Sequence, residues 1–172
     1  GAVGDVISLE TDVLTASMTS IKDRKIHYGT VSTQILINNP TDINFTISID
    51  NMGVYDKNNK PLSDWTVNLT SSGTVTKGTL GRFDVEITPA VDSEADEGSG
   101  YKIKLRATIQ EIPQSEDLSI TVFIKEFNNL TVELKSERNK TITDVGGTAF
   151  DFTITNNGNV PTTVYINPNI DS

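Results

Sequence analysis

Asp92, Glu94, Asp96 and Glu97 place four carboxylates within six residues, the densest run of hard oxygen ligands in the chain. Such a run suits calcium if the loop folds back so that the oxygens converge. The spacing is not that of an EF-hand, which needs glycine at its sixth position and a bidentate glutamate at its twelfth. A solvated acidic loop and a charged docking surface are the competing readings.

Other chemistry is scarce. There is no cysteine and one histidine, His27, so thiolate catalysis, Cys-rich zinc sites and histidine metal clusters cannot be built within one chain. His27 lies in IHYGT ahead of a strand and reads as structural or exposed. No G-x-S-x-G elbow and no glycine-rich phosphate loop occur, and no Ser-His-Asp order can be singled out. A self-formed Lys to Asn isopeptide bond has no pair that the sequence designates. The expectation is a non-enzymatic protein with no cofactor beyond the calcium candidate.

Trp65 and Tyr101 could stack on a sugar, but each shares parity with aliphatic neighbours on its own strand, so core packing is expected. Lys102, Lys104 and Arg106, with Lys125 on the next strand, form a basic stripe facing away from the core. It reads as a solvated face, or as a surface that meets the acidic loop of a neighbouring copy. Glu111, Glu116 and Asp117 around a hairpin turn read as solubilising charge. The formal charge of -9 argues against nucleic acid, whose phosphates require clustered cations. Four N-x-[ST] sequons, at Asn44, Asn68, Asn129 and Asn139, are about as many as chance supplies, and would carry glycans only in a source that glycosylates surface proteins.

The elements that must position these groups are strands. The chain is rich in Thr, Val, Ile and Asn, and apolar residues alternate in short runs between Gly, Pro, Asn and Asp. The runs are 31–37, 45–49, 65–69, 83–87, 101–109 and 118–124, with an opening strand near 14–18. Seven strands with a turn every ten residues or so predict an all-β, immunoglobulin-like antiparallel β-sandwich. No apolar run approaches the roughly 20 residues that span a bilayer, so no transmembrane segment is expected. The start GAVGDV, without methionine, fits a mature secreted protein or a chain with a short N-terminal remnant.

Internal similarity adds a second unit. LTASMTS at 14–20 is echoed by LTVELKS at 130–136, Gly29-Thr30 by Gly147-Thr148, and Asn38-Asn39 by Asn156-Asn157, at offsets of 116, 118 and 118. The expected division is an N-terminal arm at 1–12, an Ig-like sandwich at 13–127 and a truncated second Ig-like repeat at 128–172. Ile7, Leu9 and Val13 share one parity and Leu14, Ala16 and Met18 the other, so a bend is expected near residues 12–14.

The stretches INNPTDINFTISIDN, DWTVNLT, VTKGTLGRFDVEITPAVDSEADEGSGYKIKLRATI and LSITVFI resemble the Ig-like domains of the NEW type. Those domains stand beside carbohydrate-active modules and in arrays on archaeal and bacterial surface proteins. The resemblance covers about residues 14–126, with a partial copy at 130–166, and SEADEGSG is longer than is usual. It implies a non-catalytic extracellular module for spacing, adhesion or assembly.

The leading expectation is a subunit of a cell-surface assembly, a pilus-like filament or surface layer (S-layer), whose copies join by donor-strand complementation. Val6, Ile7, Leu9 and Val13 would be the donated apolar set, paired to the open edge of an incomplete sandwich. The partners are then copies of itself, or neighbouring repeats of one polypeptide if the chain is a spacer from a longer array. An accessory module of a secreted glycoside hydrolase or peptidase is the third reading.

Overall fold

A computed structural model describes residues 6–96, 98–134 and 152–164. Glu97 and the sequon Asn139 lie outside the described residues. Fourteen strands are described: β1 Ile7–Leu9, β2 Val13–Ala16, β3 Met18–Lys22, β4 Lys25–Tyr28, β5 Val31–Asn38, β6 Phe45–Tyr55, β7 Pro61–Leu62, β8 Thr66–Leu69, β9 Ser72–Val75, β10 Leu80–Thr88, β11 Tyr101–Ile109, β12 Gln114–Ile124, β13 Leu130–Leu134 and β14 Phe152–Asn156.

Most of these strands close an immunoglobulin-like sandwich. One sheet has the order β1-β5-β10-β8; the other has β2-β12-β11-β6-β7, with β9 also on β6. Alternation along β5, β10, β11 and β12 sends Ile35, Ile37, Val85, Ile87, Ile103, Leu105, Ile120 and Val122 into the core, all fully buried. The period of two in the sequence is therefore the period of burial. Trp65 is 8% exposed and packs on Tyr101 with ring centroids 4.7 Å apart, so both aromatics belong to the core and its margin.

Both edges of the sandwich are shared between the sheets. At one edge β1 runs antiparallel to β5, with Ile7 opposite Ile37, and after residues 10–12 the chain crosses and β2 runs parallel to β12. At the other edge β8 runs on β10, and the chain then crosses so that β9 runs on β6. A strand that switches sheets leaves each edge short, which is how sandwiches avoid open pairing. The crossing of the first strand is held by Thr33, 5% exposed, whose hydroxyl donates to the Thr11 carbonyl (2.8 Å) and accepts from the Thr11 amide (3.1 Å).

The bend expected near residues 12–14 thus lies at 10–12. The arm is packed on its own chain: Ile7 is 2% exposed, and Val6 and Leu9 pack against the same core. Val13 does not share their face; it is 50% exposed on the second sheet. The described residues contain no helix, and none is long and apolar enough to cross a membrane.

Candidate functional site at the junction with the second strand pair

Beyond β12 the chain leaves the sandwich, and β13 and β14 form a separate antiparallel pair. The polar turn after β14, residues 156–160, returns to the sandwich and seats on it. Gly158 permits this approach, because a Cβ there would run into the Phe127 carbonyl.

Asn159 is the centre of the contact and is 5% exposed. Its side-chain amide donates to the Tyr28 hydroxyl (3.1 Å) and to the Lys125 carbonyl (2.8 Å). Its Oδ1 accepts from the Phe127 amide (2.7 Å). Its backbone is held as well: its amide donates to the Phe127 carbonyl (2.9 Å), and its carbonyl accepts from the Ala95 amide (3.0 Å). Only an amide side chain both donates and accepts in this way, and its burial is tolerated because every group finds a partner.

The receiving socket is built by β4, the acidic loop and the exit from β12. Tyr28 ends β4 and donates its hydroxyl hydrogen bond to the Ser93 carbonyl (2.5 Å), completing a chain of hydrogen bonds from Asn159 through Tyr28 to the loop. Burial raises the Tyr28 pKa, so the phenol stays protonated and can donate. Asp92, in the left-handed region at φ 58°, accepts from the Ile26 amide (2.8 Å) and donates its own amide to the Ile26 carbonyl (2.9 Å). Tyr101 donates to the Glu94 carbonyl (2.8 Å).

This structure assigns each described carboxylate of the loop a place. Asp92 is bonded to β4, Asp96 caps the Gly98 amide (2.8 Å), and Glu94 lines the cleft beside Asn159. Among the described residues no three Asp, Glu or His side chains come together as a metal-holding group. The sequence showed the loop's charge; its contact with residue 159 depends on a chain return that local pattern does not reveal.

Apart from His27 on β4 and Asn129, whose carbonyl accepts from the Asn157 amide, the other singled-out residues lie away from the socket. Lys104 sits 4.4 Å above the Tyr55 ring, Lys102 donates to the Thr121 hydroxyl (2.7 Å), and Arg106 forms an exposed ion pair with Asp117 (2.7 Å). The basic stripe is thus largely engaged within its own sheet. His27 is half-buried on β4. Asn44, Asn68 and Asn129 are exposed; the Asn44 Oδ1 accepts from the Lys77 amide (3.0 Å), Asn68 lies on the edge strand β8, and Asn129 lies just before β13.

The second strand pair and its turn share a bonding pattern with β1, β5 and the turn after β5. Asn39 accepts from the Thr41 amide (3.0 Å) and donates to the Ile43 carbonyl (2.7 Å); Asn156 accepts from the Gly158 amide (2.9 Å) and donates to the Val160 carbonyl (2.9 Å). Asn156 is therefore the counterpart of Asn39, an offset of 117 (156 less 39). Two residues earlier, Ile154 faces Val132 as Ile37 faces Ile7, which makes β13 the counterpart of β1 at an offset of 125 (132 less 7). The similarity between LTVELKS and LTASMTS sets β13 against β2 instead. Ile7 is 2% exposed whereas Val132 is 61% exposed, so no second sheet covers the Val132 face among the described residues.

No family model matches the sequence, and no curated protein matches it at a significant level. Solved structures similar to this chain include the periplasmic chaperone SfaE, at 7% identity and TM-score 0.45, over 69% of this chain and 57% of that one. A family 123 glycoside hydrolase from Clostridium perfringens is similar at 9% identity and TM-score 0.44, over 69% and 27%. The CooA pilin subunit from enterotoxigenic Escherichia coli is similar at 10% identity and TM-score 0.43, over 69% and 97%. The chain spans little more than half of the chaperone and about a quarter of the hydrolase.

Proposed function

We propose that the protein is a non-catalytic structural component of an exported cell-surface assembly, in which Ig-like sandwiches follow one another in series and are held at a fixed angle. The observation that carries this reading is the Asn159 lock. A flexible tether needs no buried side chain, whereas here a fully bonded amide from the second unit is sunk into a socket on the first. Burying such a polar group is worthwhile only where one relative placement is specified. The acidic loop then acts as the docking surface of the first sandwich.

A second reading, strand donation between copies, is favoured by one feature: Leu130, Val132 and Ile154 are 43%, 61% and 37% exposed, an apolar face that another polypeptide could cover. The candidate donor is the arm with Val6, Ile7 and Leu9, which would have to leave β5 first. Sedimentation and electron microscopy of the chain with and without residues 1–12 separate the two. The series reading expects a monomer at all concentrations for the intact chain. Concentration-dependent oligomers that vanish on deletion would overturn it in favour of donation.

A further inference from the structure

Resting on the series reading, we propose that the turn 39–43 is the first sandwich's own docking knob, made for a preceding Ig-like module whose socket offers a hydrogen-bond donor where this chain's socket presents the Lys125 carbonyl. The turn is the counterpart of 156–160, with the same pair of side-chain bonds closing it at Asn39 and at Asn156. At the second site the turn is seated: Asn159 is 5% exposed and Val160 half-buried. At the first site the matching residues are open: Asp42 is exposed, and Ile43 is 46% exposed, an isoleucine at the tip of a polar turn.

The chemistry of the knob selects its partner. Asp42 stands where Asn159 stands, and a carboxylate accepts hydrogen bonds but cannot donate them. In a socket like this chain's it would face the Lys125 carbonyl with no proton between them, in a cleft that Asp92 and Glu94 also line. Pro40 stands where the Asn157 amide donates to the Asn129 carbonyl (2.7 Å), and proline has no amide proton to give. Both departures point the same way. The fitting partner presents a lysine, an arginine or free amides where this socket presents a carbonyl, so successive junctions are chemically distinct and the order of modules is encoded in them.

The test places a copy of residues 6–127 directly ahead of Val3 of the full chain, the spacing set by the offset of 125. It compares the native turn with the double variant Pro40→Asn, Asp42→Asn, which converts the knob to the second unit's chemistry. Protection of the Ile43 methyls from a soluble paramagnetic probe reports docking, with the Val160 methyls as internal control. The expected result is an undocked native turn and a docked double variant, a rise in docked population of about tenfold or more. Equal docking of both turns would overturn the selectivity, and failure of both would overturn the knob. Loss of protection at Val160 in the native fusion would instead indict the series reading.

Discussion

Replacing Asn159 by alanine removes three side-chain hydrogen bonds, to Tyr28, Lys125 and Phe127, at a position 5% exposed. Each contributes about 1 kcal/mol net, so the closed junction should lose about 3 kcal/mol, on the order of a hundredfold in its open fraction. The loss is bounded by the free energy of docking itself, since the second unit can swing away and let water satisfy the freed groups. Amide hydrogen exchange reads this directly, because the Phe127 and Ala95 amides are bonded to Asn159 whereas those of β11 and β12 belong to the sandwich. Exchange at Phe127 and Ala95 should accelerate about a hundredfold while the β11 and β12 amides hold their rates. A change below about threefold at Phe127 would show that Asn159 does not secure the junction.

Three further outcomes follow from the same geometry. Ile7→Ala empties a buried core position and should cost about 2 to 4 kcal/mol in urea unfolding, whereas Val132→Ala at the matching exposed site should stay within about 0.5 kcal/mol; equal costs would contradict the assigned equivalence. Gly158→Ala drives a Cβ into the Phe127 carbonyl and should open the junction as Asn159→Ala does, with the melting of the sandwich unchanged. Burial foremost, then Glu94 and Asp96, push the Tyr101 pKa up to about 12 from the ordinary 10.0. A raised folded-state value means that its contribution is intact below pH 10 and is lost as pH rises from about 10 toward 12, so Tyr101→Phe should flatten alkaline unfolding in that window.

The sandwich was legible because its core strands alternate strictly, as in 101–109 and 118–124, and a half-buried strand leaves that trace directly. The hairpin of β3 and β4 was missed because its turn places Asp23 and Arg24 in the left-handed region, at φ 53° and 63°, where Asn-Gly is the usual signal. The strand Ser72–Val75 was missed because Ser-Gly-Thr reads as a loop, yet β9 carries the chain from one sheet to the other. The arm was read as separate because its parity breaks from the next strand, and that break proved to be the crossing between sheets.

The site was less legible than the fold. The acidic run stood out by its charge, and charge alone suggested calcium, while its bonding is to β4 and to residue 159. Letter identity sets LTVELKS against β2, whereas strand register and the side-chain bonds of Asn39 and Asn156 set β13 against β1, a difference that only the pairing of strands brings out. A fully bonded asparagine carries no pattern in sequence, because its meaning lies in partners more than 30 residues away.

The most direct measurement is of residual dipolar couplings for the backbone amides of the sandwich and of the second strand pair, in one weakly aligned sample. A junction locked by Asn159 requires one alignment tensor to fit both sets, and the Asn159→Ala variant to need two. Two tensors of different magnitude in the unaltered protein would contradict the account, since they would mean that the second unit moves freely on its linker.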